Sequence, residues 1–132
     1  METDGQHPVR GFSEAVNRFD PEAAVAFCDP EIEFLSVLAV GGEPYHGHDG
    51  IRQYFEDIES AWDEWRVEVD RVEEGSDGRV AIVMTMHWRG KESGTGYSDC
   101  TGHVWTLRNG KLLRNEPHRV SENALRALSL SP

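Results

Sequence analysis

The sequence predicts an α+β fold in which helices pack on one face of a curved antiparallel sheet. Three observations predict it. Apolar residues at helical spacing fill the first half of the chain and return only in a short tail. Two-residue alternation dominates from 66 to 120. Within that stretch Asn109-Gly110 separates two alternating runs, the strongest short hairpin signal. One domain spanning 7–130 is expected for 132 residues, with 1–6 as a flexible N-terminus.

Taken in order, 8–19 places Val9, Phe12, Val16 and Phe19 on one helical face. Asp20-Pro21 starts a second, short helix, since Asp caps and Pro suits the first helical position. That helix stops at Asp29-Pro30. Ile32 and Phe34 then alternate with Glu31 and Glu33 in a strand over 31–36. After a loop at 41–44, a long helix is expected over 48–65. Its stripe is Ile51, Phe55, Ile58, Trp62 and Trp65, opposite Arg52, Gln53, Glu56, Glu59 and Asp63. Strands follow at 66–73, 79–88, 97–108 and 111–120, and Ser121 caps a closing helix through Leu128.

Composition excludes several partners. Thirteen Lys and Arg against 24 Asp and Glu leave a net charge of −11. A phosphate-backbone binder or a protein docked on anionic lipid needs basic patches, so neither nucleic acid nor membrane is expected as a partner. The N-terminus has no signal-peptide run and no segment is apolar enough to span a bilayer, so a cytoplasmic location is expected. Cys28 and Cys100 are expected as free thiols. The glycines at 75–78 and 90–96 read as hairpin turns without a phosphate-loop pattern, and no cofactor is expected.

The element order resembles the NTF2-like superfamily, the cone-shaped fold of ketosteroid isomerase, limonene epoxide hydrolase and the SnoaL-type polyketide cyclases. The local sequence is most similar to the SnoaL-like branch. The pieces that carry this are Asp20-Pro21-Glu22 through Cys28-Asp29-Pro30, Tyr45-His46-Gly47-His48-Asp49-Gly50-Ile51, His103-Val104-Trp105-Thr106-Leu107-Arg108-Asn109-Gly110-Lys111, and the tail from Ser121 to Leu128. The resemblance implies a pocket between the N-terminal helices and the concave sheet face, and a homodimer through the convex face. It specifies fold more than activity, because this scaffold hosts many functions.

Side-chain parity then assigns residues to the two faces. With a two-residue turn at Asn109-Gly110, Arg108 faces Lys111, Val104 faces Asn115, Gly102 faces Pro117 and Cys100 faces Arg119. His103 faces Glu116 and Thr101 faces His118 on the other side. Matching the isomerase pattern turns the Gly102 set inward, with Ile32, Phe34 and Ser36. The expected pocket is therefore Phe34, Ser36, Met84, Met86, Trp88, Cys100, Val104, Asn115 and Arg119, suited to a small, flat hydrophobic ligand held by few polar contacts. The resemblance places the isomerases' general base at Phe34 and their oxyanion donors at Phe12 and Gly102. The epoxide hydrolases' acid and arginine slots fall on Cys100, Gly102 and Pro117. None of these positions keeps the family's catalytic side chain, and no inward carboxylate of the cyclase type is expected.

The remaining candidates for proton transfer are His103 and His118. Parity puts His103 on the convex face, beside Glu116, as a cross-strand or dimer contact, unless a bulge turns it inward. Pro117 marks a possible bulge, which leaves the facing of His118 and Arg119 open. Val83, Thr85, His87, His103 and Trp105 form the expected dimer face. The histidines at 87, 103 and 118 lack tight ligand spacing, and His46-Gly47-His48 reads as a turn and helix cap, so no metal is expected. Cys100 lacks an inward histidine partner for nucleophilic chemistry. Two function classes stay open: an acid–base enzyme of cyclase, isomerase or hydrolase type acting on a hydrophobic molecule, and a non-catalytic binding or interaction module.

Overall fold

In the computed structural model, residues 8–36, 43–75 and 78–118 are described. The expected closing helix, Arg119 and the N-terminal 1–6 lie outside them. The elements are α1 (Pro8–Arg18), α2 (Pro21–Ala26), β1 (Cys28–Phe34), β2 (Tyr45–His46), α3 (Gly47–Ala61), β3 (Trp62–Glu74), β4 (Arg79–Gly90), β5 (Gly96–Arg108) and β6 (Lys111–His118). The strands form one unclosed sheet in the order β2-β1-β6-β5-β4-β3. The helices pack on its concave face, so the fold is the NTF2-like cone that the sequence predicts. The sheet is mostly rather than wholly antiparallel, because β1 runs parallel to β6.

Local chemistry accounts for the helix ends. The Asp20 carboxylate accepts from the Ala23 N–H at 3.2 Å, satisfying one of the donors that a helix start leaves unpaired. Gly47 opens α3 with φ at +69°, and a Cβ there would lie 3.3 Å from the Pro30 carbonyl oxygen, so glycine is needed at this corner. Ile51, Tyr54, Phe55 and Ile58 form the buried stripe of α3.

The long helix is shorter than its stripe suggested. It ends at Ala61, and Trp62 is already extended at φ −128°, ψ 137°. Trp62 and Trp65 therefore belong to β3, where they pair with Gly90 and Trp88. The physical reason is a competing period: Trp65, Val67 and Val69 alternate with Glu64, Arg66 and Glu68, and ladder bonds to β4 reward the strand.

A second correction concerns register. The Asn109-Gly110 turn does have both residues at positive φ, 54° and 77°, and Arg108 pairs with Lys111. Two residues later the ladder slips. Leu107 pairs with Leu112, but Thr106 pairs with Arg114, so Leu113 is an extra residue, a β-bulge. Beyond it Trp105 faces Asn115, Val104 faces Glu116, His103 faces Pro117 and Gly102 faces His118. The expected His103–Glu116 and Val104–Asn115 pairs are thereby replaced by His103–Pro117 and Val104–Glu116.

β4 and β5 fix which face is inside. Val80, Ile82 and Met84 pair with Trp105, His103 and Thr101. Val80, Ile82, Met84, His103 and Trp105 are all buried. The odd-numbered residues of β5 thus face the helices, and Cys100, Gly102 and Val104 face away. On the outer face His87 sits between Glu68 at 2.9 Å and Ser98 at 2.7 Å, with Glu64–Arg89 and Asp70–Thr85 contacts of 2.8 Å nearby. Around His87 that face is a polar ladder, while Ala81 and Val104 on it are buried; His103 and Trp105, expected on it, lie on the opposite side.

Candidate functional site

The concave face and α1 enclose a cavity of about 40 Å³. Phe12, Ser13 and Val16 of α1, Tyr54 of α3 and Phe34 and Ser36 around the end of β1 form one side. Trp65 and Val67 of β3, Ile82, Met84 and Met86 of β4, and His103 and Trp105 of β5 form the other. The lining is dominated by aromatic rings in contact. Phe34 stacks on Trp105 at 5.7 Å with only 4° between planes, and Phe12 meets both edge-on at 5.6 and 5.8 Å. Tyr54 closes on Phe34 at 4.8 Å and its hydroxyl accepts from Trp65 Nε1 at 3.1 Å. Burial pushes the Tyr54 phenol above its ordinary value, so it stays protonated.

Two polar side chains form a connected pair at this wall. Asn115 Oδ1 accepts from the Leu35 N–H at 2.7 Å, and its Nδ2 donates to the Leu35 carbonyl at 2.9 Å. The same Nδ2 approaches His103 Nδ1 at 2.9 Å. Both residues are buried, His103 at 4% and Asn115 at 6% exposure. The amide thus joins β6 to the end of β1 and touches the histidine of β5.

The structure sorts the expected site residues into three groups. Phe34, Ser36, Met84 and Met86 line the cavity, and Asn115 contacts its histidine. Trp88 lies off the cavity, packed between Trp65 and Tyr97. Cys100 is exposed on the outer face, and Val104 is buried on that face in a depression with Arg79, Thr106 and Glu116. The backbone of His118 ends β6, but its side chain, like Arg119, is outside the described residues. Sequence reasoning missed Tyr54 and Trp105 as lining and placed His103 outside. The available signal was bulk: on β5 one parity carries Trp105 and the other Gly102 and Cys100, and the larger side chain belongs in the core.

Other titratable groups lie elsewhere. Asp29 is the buried carboxylate among the described residues, and Arg108 holds it with contacts of 2.9 and 3.1 Å. Those hydrogen bonds lower its pKa below the usual aspartate value. Burial pushes the Cys28 thiol up to about 12, which makes it a poor nucleophile. His48 Nε2 donates to the Cys28 carbonyl at 2.9 Å, while His46 lies 3.7 Å from Glu33, so each imidazole has its own partner. Among the described residues no group of three or more His, Cys, Asp or Glu side chains is placed to hold a metal.

Comparison with known proteins gives a consistent picture. A family model for the SnoaL-like domain matches residues 9–115. No curated protein matches the sequence. Solved structures with the same fold include an NTF2-like protein of unknown function from Burkholderia pseudomallei, 21% identical, covering 97% of this chain and 99% of that one, with a TM-score of 0.77. An NTF2-like protein from Burkholderia thailandensis is 25% identical over 100% of both chains, with a TM-score of 0.75. A candidate polyketide cyclase from Pseudomonas putida is 19% identical over 89% of this chain and 92% of that one, with a TM-score of 0.72.

Proposed function

Because the chain belongs to the SnoaL-like domain family, we propose that it binds a small hydrophobic organic molecule in the cone, with His103 serving cyclase- or isomerase-type acid–base chemistry. One observation carries this reading: a histidine at 4% exposure lines a cavity otherwise walled by aromatic and aliphatic side chains. Its Nδ1 meets the Asn115 amide at 2.9 Å, so the buried imidazole is held in this apolar wall by a hydrogen bond. His103 also has the one side-chain type whose ordinary pKa suits proton transfer near neutrality. Such a ligand would have to displace lining side chains. Cavities that take up benzene are nearer about 150 Å³, against about 40 Å³ here. Met84 and Met86 are suited to that adjustment, being unbranched and flexible.

The small volume also favours a second reading, a non-catalytic dimeric NTF2-like binding or interaction module whose cone is simply filled. Among the described residues no carboxylate lines the cavity, which agrees with it. Titration with acetophenone separates the two. Under the first reading, Trp fluorescence saturates and the methyl resonances of Met84 and Met86 shift together. If neither changes at millimolar probe while sedimentation gives a dimer, the first reading is wrong and the second stands.

A further inference from the structure

We infer that Val16 and Trp65 form a gate between the cavity and an outer groove, and that swinging the Trp65 indole aside joins the two into one elongated chamber, suited to a hydrophobic ligand with a ring in the cone and an alkyl chain in the groove. The ligand half of this rests on the function proposed above; the gate does not. The groove lies where α1, the end of α3 and the start of β3 meet, and its open volume is about 430 Å³. Phe19, Ile58 and Trp62 give it an apolar lining. Val16 and Trp65 line both the groove and the cavity, and among the described residues no other does so. These two side chains therefore divide the two spaces.

The backbone beside the gate is fixed. Asn17, next to Val16, bonds twice to Val67 at 2.7 Å and bolts α1 to β3. Passage then falls to the side chains, and Trp65 is the larger of the two. One hydrogen bond holds it, from Nε1 to the buried Tyr54 hydroxyl at 3.1 Å. Its ring is flanked by Trp62 at 5.6 Å and Trp88 at 6.1 Å, and all three indoles are only partly buried. The closed arrangement also carries a cost beside it. Trp62 Nε1 is buried with no hydrogen-bond partner, and a donor in that state favours an arrangement that readmits water. A side chain held by one hydrogen bond and opposed by an unsatisfied neighbour has an open state within thermal reach. Joined to the groove, the cavity of about 40 Å³ becomes part of a space within the usual range for ligand sites, about 300–1,000 Å³.

The full chain, uniformly ¹⁵N-labelled, tests the gate without a ligand. Deuterium exchange at the Trp65 indole N–H, identified by the resonance lost in Trp65→Phe, is compared with exchange at the amide of Ile82, buried in the interior strand β4. The expected result is faster exchange at Trp65 that ignores low denaturant, as local opening does. Tyr54→Phe removes the acceptor and should speed it by a further 2- to 10-fold or so, about one hydrogen bond's worth. Exchange at Trp65 that follows Ile82 through a denaturant series overturns the gate, and this wild-type measurement decides even if no variant folds. Toluene and butylbenzene, which differ by three methylenes, then test the chamber. Tyr54→Phe should raise the preference for butylbenzene by about 2- to 10-fold, because more of the protein is open to its chain. Trp65→Ala leaves the passage open and should raise it by up to about 4-fold per methylene. A preference unchanged in the variants overturns the chamber and leaves binding in the cone intact. Binding of neither probe overturns the proposed function and the ligand half together, while the exchange result still decides the gate.

Discussion

Strand β3 lies at the edge of the sheet, and a single side chain closes the middle of that edge. Asn17, near the end of α1, donates Nδ2 to the Val67 carbonyl at 2.7 Å and accepts the Val67 N–H on Oδ1 at 2.7 Å. It thus stands in for a missing neighbouring strand. Asn17→Ala removes both bonds. At about 0.5–1.5 kcal/mol net for each, the loss is about 1–3 kcal/mol. Alanine returns up to about 0.7 kcal/mol through its better helix propensity. Val67 is only 8% exposed, so water replaces the lost partner poorly, and a net loss of about 1.5 kcal/mol is expected. With a urea m-value of about 1.5 kcal/mol/M, the midpoint falls by roughly 1 M. Asn17→Asp keeps the acceptor but turns a carboxylate toward the Val67 carbonyl, and should destabilise at least as much. The freed edge should also increase self-association on gel filtration. An Asn17→Ala midpoint within error of wild type would refute the reasoning, because the clamp would then contribute nothing.

Two further predictions concern titratable groups. Arg108 holds the folded-state pKa of Asp29 below its unfolded value, so this pair stabilises the protein above the ordinary aspartate range and the contribution is lost as pH falls through the folded value. Wild type should therefore be more stable than Arg108→Gln near neutral pH, and the gap measured by urea titration should narrow as pH drops below about 4; a constant gap would show that the ion pair is not the cause. Cys100 is exposed whereas the buried Cys28 thiol, raised to about 12, also donates to the Ala24 carbonyl at 3.3 Å. A thiol reagent should thus label one cysteine in the native protein and two after unfolding, and rapid native labelling of both would show that β1 opens.

Much of this architecture is legible in the residues. The capping Asp20, the alternation along β4 and the Asn109-Gly110 turn each have one strong local solution, and the structure adopts each of them. The C-terminal end of α3 was harder. Ile51, Phe55, Ile58, Trp62 and Trp65 satisfy a helical period, while Trp65, Val67 and Val69 satisfy a strand period, and pairing with β4 decides between them. The site depended on something less local still. Met84 and Met86 follow from the apolar alternation along β4, whereas Phe34 and Ser36 are turned inward by the resemblance to the isomerase pattern. His103 is misplaced because the resemblance turns the parity of Gly102 inward, whereas the unbroken β4–β5 ladder pairs His103 with the inward Ile82; the bulge at Leu113, which no residue type in Leu112-Leu113-Arg114 announces, changes only which residues of β6 share that face.

The extra residue at Leu113 works on β6 much as a reading frame works on a message. Every side chain after it is delivered to the face opposite the one an uninterrupted ladder would choose. Point substitutions along β6 can only change the letters; gain or loss of one residue changes which letters are read by the interior. Relatives of this chain that look alike at positions 115 to 118 can therefore present different chemistry to the cone, and relatives that look unlike can present the same, according to whether they carry this one-residue insertion.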